Sequence, residues 1–342
     1  MNSIKNLVRP NILKLNPYSS ARDEFSGKKG VFLDANENPY GELNRYPDPY
    51  QNALKNKLAD FKKVKPSNIF IGNGSDEIID LAFRIFCSPG YDKALTFSPT
   101  YGMYEVSASI NNIELIKVPF KEDFQLDLEN LKSCFKNPTI KLLFICSPNN
   151  PTGNCLAKAD IEFVLQNFKG IVIIDEAYID FAQTNSALEL IDKYENLIVS
   201  QTFSKAWGLA SARVGIAYAN EEIISLFNKV KPPYNVSALN QKATIEALDD
   251  FESFEQNLKS ILKEKERLES EIRKFNYVKK IYPSDANFLL LKVKDANGLY
   301  QELVSLNIII RNRNSILPNC LRITVGTPEE NNKLLNALKK LS

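Results

Sequence analysis

Short apolar runs recur between residues 68 and 219, most of them closed by Gly, Pro, Asn, Ser or Asp. They predict strands over Asn68–Gly72, Lys93–Phe97, Ile113–Val118, Lys141–Cys146, Ile171–Ile174, Leu197–Gln201 and Val214–Ala219. Several are apolar throughout rather than alternating, the pattern of strands covered on both faces of a parallel sheet. Between them, helical spacing of apolar residues predicts helices over Asp76–Phe86, Lys158–Phe168 and Ala187–Tyr194. This alternation of strand and helix predicts an α/β fold with a mainly parallel sheet and helices on its faces.

The pattern changes near Asp249. Residues 251–275 form a long charged stretch with apolar positions at Leu258, Ile261, Leu262, Leu268 and Ile272, an amphipathic helix with one solvated face. Shorter predicted strands follow, over Asn287–Val293, Ile308–Arg311 and Leu321–Val325, and then a final helix. Three units are predicted: an arm with little regular structure over residues 1–45, a large domain over 46–249, and a small α+β domain over 250–342. No repeat or low-complexity tract interrupts them.

Composition narrows the chemistry. The 342 residues are 44% hydrophobic, enough for a sizeable core, with 43 Lys+Arg against 41 Asp+Glu. A net charge of +2 gives no footprint for nucleic acid or an anionic membrane. No apolar run approaches the roughly 20 residues of a membrane span, and residues 1–10 carry no secretory h-region, so a cytoplasmic protein is expected. Five scattered cysteines without a CxxC argue against disulfides and against zinc, and no metal is expected. There is no histidine at all. That excludes Ser-His-Asp and Cys-His hydrolases and any histidine general base. A lysine of lowered pKa becomes the leading candidate for acid–base work.

Five segments carry candidate chemistry, each following a predicted strand. Ser147–Gly153 (Ser-Pro-Asn-Asn-Pro-Thr-Gly) is an irregular turn at a strand's carboxyl end, where open α/β sheets bind ligands; Asn150 can present its amide there. Asp175 closes the apolar strand Ile171–Ile174 and needs a partner, and a protonated ring nitrogen would be one; Tyr178 follows three residues on. In Thr202–Gly215, Lys205 sits among small and apolar neighbours that favour imine chemistry, with Ser204 and Arg213 placed to contact a phosphate. Ile69–Glu77 runs from strand through a Gly-rich turn into a helix, so Gly74, Ser75 and Asp76 can offer N–H groups to a phosphate. It is not GxGxxG, because Glu77 stands last, which argues against a dinucleotide. Tyr101 can lay its ring over a flat cofactor. Each segment alone also fits a plain turn, a helix cap or core packing. Together they supply an amine, an acid for a ring nitrogen, donors, a stacking ring and a phosphate cradle.

On these residues the chain resembles the fold type I, class II pyridoxal-phosphate-dependent aminotransferases, and within them the histidinol-phosphate aminotransferase subfamily. The resemblance extends over nearly the whole chain, from Leu15–Arg22, Leu33–Gly41 and Asn44–Asp48 to Cys320–Asn331 (Cys-Leu-Arg-Ile-Thr-Val-Gly-Thr-Pro-Glu-Glu-Asn). It implies that Lys205 holds pyridoxal 5′-phosphate as a Schiff base and shuttles the proton. It implies that Asp175 pairs with the ring nitrogen, Tyr178 and Asn150 bind the ring oxygen, and Tyr101 stacks. Gly74, Ser75, Asp76, Ser204 and Arg213 would hold the phosphate, with Tyr46 reaching the cofactor of the other subunit in a homodimer. Tyr18, Arg311 and Arg322 would bind the substrate. Gln201 and Ser211-Ala212 depart from common residues without touching an assigned role.

The implied reaction is transamination of L-histidinol phosphate with 2-oxoglutarate, giving imidazole-acetol phosphate and L-glutamate. Two alternatives stay open: an aromatic amino acid aminotransferase, and a decarboxylase of a phosphorylated amino acid that uses the same cofactor. The Arg311/Arg322 pair favours a phosphorylated substrate, although a carboxylate would satisfy the same donors.

Overall fold

The computed structural model describes residues 4–18 and 30–341. A short helix α1 (Pro10–Lys14) comes first, residues 30–50 form an extended segment without helix or strand, and α2 (Asn52–Lys62) leads into the large sheet. Its strands are β1 (Ile69–Asn73), β2 (Lys93–Ser98), β3 (Glu114–Pro119), β4 (Ile140–Cys146), β5 (Ile171–Asp175), β6 (Leu197–Thr202) and β7 (Val214–Ala219). The helices between them are α3 (Ser75–Phe86), α4 (Met103–Ile110), α5 (Leu128–Cys134) and α6 (Lys158–Asn167). The strand order is β1-β7-β6-β5-β4-β2-β3. Only β7 runs against its neighbours, β1 and β6; all other pairings are parallel.

Strand periodicity divides the core into two layers. Ile71, Leu143, Ile145, Val172 and Ile174 pack on one face of the sheet. Phe70, Leu142, Phe144, Ile171 and Ile173 pack on the other, with Phe83 of α3 and Phe227 of the later helix α7 (Glu221–Val230). Covering both faces explains why these strands read as continuous apolar runs. Each large side chain so buried contributes about 1.5–3 kcal/mol.

Helix α8 (Ala238–Asp249) and the long α9 (Phe251–Ile272) lead to a second sheet. It consists of β8 (Val278–Tyr282), β9 (Phe288–Val293), β10 (Arg311–Asn312) and β11 (Cys320–Thr324), in the order β10-β11-β9-β8, antiparallel throughout. Helices α10 (Ala296–Ser305) and α11 (Pro328–Lys340) cover it. A small apolar cluster of Tyr178, Phe181, Ala206, Ala286 and Phe288, backed by Phe254 of α9, ties this sheet to the carboxyl ends of β5 and β6.

Two local expectations need correction. The stretch predicted as a helix to Tyr194 is one 3₁₀ turn, Ala187–Leu190. The Ala187 N–H is pinned to the buried Glu176 carboxylate, and the chain then opens to bury Ile191 and Tyr194. The strand predicted over Ile308–Arg311 contracts to Arg311–Asn312, with Ile308 and Ile310 packed on the small core and Ile309 exposed. The edge strand β8 gives little periodic signal because Lys279 and Lys280 stand exposed on it, a usual protection of a free edge. No helix among the described residues is long and apolar enough to cross a membrane.

Candidate active site

The topology fixes where the chemistry collects. β1, β2, β4, β5 and β6 all point their carboxyl ends to one edge of the large sheet, and the antiparallel β7 begins there. The segments after the parallel strands, and Arg213 just before β7, therefore meet in one cleft. Arg311 and Arg322 enter it from the second sheet, directly opposite each other on β10 and β11. The cavity so formed, about 350 Å³, is lined among others by Ser75, Asp76, Tyr101, Asn150, Asp175, Tyr178, Ser204, Lys205 and Arg213.

At one end stands the amino terminus of α3. Gly74 has φ +78°, and a Cβ there would lie 2.5 Å from the Arg213 guanidinium. Gly215 comes still closer, since its Cβ would fall 2.3 Å from the Ser75 nitrogen. Two glycines thus let β7 and the α3 turn approach, which places Arg213 beside the free N–H groups of the helix. Arg213 meets Asp76 at 3.4 Å, and Asp76 also accepts from the Tyr101 hydroxyl at 3.1 Å. On the β6 side, the Ser204 N–H bonds to Thr202 Oγ1 at 3.1 Å. Arg213 and the free N–H groups at the start of α3, with the positive end of the helix dipole, suit a phosphate.

Asp175 lies at the cavity floor and is buried. Its Oδ2 accepts from the Tyr104 hydroxyl at 2.7 Å and its Oδ1 from the Ala177 N–H at 3.1 Å. Burial pushes its pKa above the usual aspartate range, partly opposed by those two hydrogen bonds. Such an acid is ready to pair with a cationic ring nitrogen. Lys205 lines the same cavity, its Nζ 5.7 Å from the Tyr178 ring centroid. Loss of solvation, then the positive charge of Arg322, holds its amine below the ordinary lysine range. A lysine so tuned can be a nucleophile and a base.

Arg322 donates to Asn150 Oδ1 at 2.5 Å and lies 5.1 Å from the Phe288 ring. A guanidinium offers only donors, so the Asn150 oxygen is engaged and its NH₂ is the end left for a ligand oxygen. Tyr178 and Phe288 meet edge to face at 5.2 Å.

The structure thus gathers Ser75, Asp76, Tyr101, Asn150, Asp175, Tyr178, Ser204, Lys205, Arg213, Arg311 and Arg322 around one cavity. Gly74 shapes that cavity without lining it. Tyr18 is 69% exposed and Tyr46 stacks on Tyr234 at 4.4 Å; neither lines this cavity. Residues 19–22 of the N-terminal motif lie outside the described residues. Four lining residues were not singled out from sequence: Cys146, Ala177, Thr202 and Arg313. Tyr104, which holds Asp175, was also missed. For Arg313 a signal existed, since it stands two residues after Arg311 and strand alternation turns both to one face. Tyr104 had none, its partner being 71 residues away.

The chain is similar to known proteins over nearly its whole length. The family model for aminotransferase class I and II matches residues 27–338. A protein of Bacteroides thetaiotaomicron named histidinol-phosphate aminotransferase is 53% identical, covering 99% of both chains. One of the same name from Parabacteroides distasonis is 51% identical over 100% of this chain and 99% of its own. Among solved structures, the histidinol-phosphate aminotransferase of Clostridium acetobutylicum superposes with a TM-score of 0.80 at 27% identity, covering 87% of this chain and 91% of that one.

Proposed function

The chain belongs to the class I and II aminotransferases, and from that premise we propose that it transfers the amino group of L-histidinol phosphate to 2-oxoglutarate. The products are imidazole-acetol phosphate and L-glutamate, in histidine biosynthesis. The relatives that match it over full length at about half identity carry that name. The observation that carries the reading is one cavity holding a tuned lysine, a buried acid, a phosphate cradle and, opposite the cradle, Arg311 and Arg322.

Pyridoxal 5′-phosphate, the cofactor of the family, supplies when bound an electron sink for negative charge developing at the substrate Cα. The residues present fit it. Asp175, a buried carboxylate with no cation bonded to it among the described residues, suits the ring nitrogen. The NH₂ of Asn150 and the Tyr178 hydroxyl suit the ring oxygen, and Tyr101 the ring face. Gly74, Ser75, Asp76, Ser204 and Arg213 form the cradle for its phosphate. Lys205 removes the proton from the substrate Cα and returns it on the same side of the cavity, which a chain without histidine requires of its lysine. Arg322 and Arg311 bind the anionic groups of the two substrates in turn.

A homodimer completes this reading. Val31, Leu33, Tyr40 and Leu43 of the extended segment leave large apolar side chains 89%, 88%, 83% and 69% exposed. A second copy of the chain would cover them. Tyr46, in the same segment, is then assigned to the cofactor phosphate of the partner. The same reading expects the enzyme in the cytoplasm, where its small-molecule substrates are made.

The test is a comparison of kcat/KM for histidinol phosphate, phenylalanine and a phosphorylated amino acid, with 2-oxoglutarate as acceptor. Histidinol phosphate should be strongly preferred. A preference for phenylalanine would reassign the enzyme to aromatic amino acids, and release of CO₂ would reassign it to decarboxylation.

A further inference from the structure

The cavity carries more positive charge than Lys205 and the phosphate cradle account for. Arg311, Arg313 and Arg322 stand together on its far wall, and among the described residues none forms an ion pair with a carboxylate. Arg322 gives one N–H to Asn150. Arg313 gives no side-chain hydrogen bond to any described residue, and its Nε is buried without a partner, as is the Nε of Arg322. A buried donor left unpaired destabilises a fold, so natural structures rarely keep one without use.

Strand geometry explains the grouping. Arg311 lies directly opposite Arg322 in the β10–β11 ladder. Arg313 continues that ladder, its N–H bonding to the Cys320 carbonyl at 2.9 Å. Alternation therefore turns it to the face that Arg311 occupies. Burial, then the charges of Arg322 and Arg311, pushes its guanidinium down to about 10, which still leaves it charged at neutral pH. Three like charges held side by side repel unless an anion lies between them. A carboxylate offers one charge and two oxygens; a phosphate monoester offers nearly two charges and three free oxygens.

We propose that Arg313 is a third anion-binding residue of the substrate site, and the one that makes the site select a phosphate monoester over a carboxylate. This rests on the functional reading above and assigns its selectivity to a residue outside the Arg311–Arg322 pair.

The test uses holoenzyme carrying Arg313→Gln or Arg313→Lys. The half-reactions with histidinol phosphate and with glutamate are followed separately by cofactor absorbance, alongside competitive inhibition by inorganic phosphate. Arg313→Gln is expected to lower kcat/KM for histidinol phosphate by about 10- to 100-fold, chiefly through KM. The loss on glutamate should be smaller, and inorganic phosphate should weaken as an inhibitor in parallel. Arg313→Lys keeps the charge without the two-pronged geometry and should recover part of the loss. Equal losses on both substrates, a loss confined to kcat, or undiminished inhibition by phosphate overturns the proposal. Should Arg313→Gln not fold, Arg313→Lys decides it: weaker phosphate inhibition supports the proposal and unchanged inhibition overturns it. Failure of the functional reading looks different, because the unaltered enzyme would then accept glutamate and not histidinol phosphate. Competition between phosphate and glutamate would still report on Arg313.

Discussion

The Tyr104 hydroxyl donates to Asp175 Oδ2 across 2.7 Å, joining the helix after β2 to the acid at the end of β5. Both residues are buried, and Tyr104 is held in place by ring packing on Phe144 at 4.9 Å. The bond stabilises the Asp175 anion against the burial that raises its pKa. Tyr104→Phe should leave the fold intact and push that carboxyl higher still. Its pairing with the ring nitrogen should then weaken, and kcat/KM should fall about tenfold. A pH titration of holoenzyme absorbance should show the shift directly. An unchanged titration together with unchanged turnover would refute this role.

Gly215 can be tested without touching a polar group. The nearest atom to an added Cβ is backbone, the Ser75 nitrogen at 2.3 Å, so relief requires β7 and α3 to move apart. Gly215→Ala should cost about 1–3 kcal/mol of stability. It should also lower affinity for the cofactor phosphate, because that approach is what sets Arg213 beside the helix terminus. A thermal melt and a cofactor titration check the two effects separately.

Glu176 links stability to pH. It is buried beside Asp175, bonded to the Ala187 N–H at 2.6 Å and to Gln201 at 2.9 Å, and burial pushes its carboxyl up to about 7 from 4.5. The folded state therefore keeps a proton that the unfolded chain releases. The stability so contributed is fully present below pH 4.5 and is lost as the pH rises through about 7. Glu176→Gln should flatten this dependence. Melting temperatures of both proteins at pH 5 and pH 8 provide the comparison, and equal slopes would rule out Glu176 as the source.

The dimer can be tested by complementation. Sedimentation should give twice the chain mass. Lys205→Ala should abolish turnover by a factor of about 10² to 10⁴, the usual scale of a lost proton-transfer group. Tyr46→Ala should weaken cofactor binding in the partner's site. Mixed and reassembled, the two variants should recover activity above either parent, because one of the two hybrid sites then has both residues. No recovery would place Tyr46 in its own subunit's site or outside the chemistry.

Gln201 shows a limit of reading residues by their chemical role alone. It reads as a packing position, yet its amide is one of the three hydrogen bonds that hold the buried Glu176.

The sequence by itself determined the α/β class, the strand ends and the residues that follow them. Lys205, Asn150 and Ser75 are legible because Gly, Pro or small residues mark their turns locally, Asp175 because it closes an apolar strand, and parallel strands carry these ends to one edge. The missing histidines narrowed the acid–base candidates and pointed to the lysine. Tertiary structure alone decided which distant side chains complete that edge. Tyr104 reaches Asp175 and Arg322 reaches Asn150 through contacts that no local spacing encodes. The reason is physical: backbone preference and hydrophobic period act over a few residues, whereas a buried charge or donor takes its partner from whatever the packing of two sheets brings within reach.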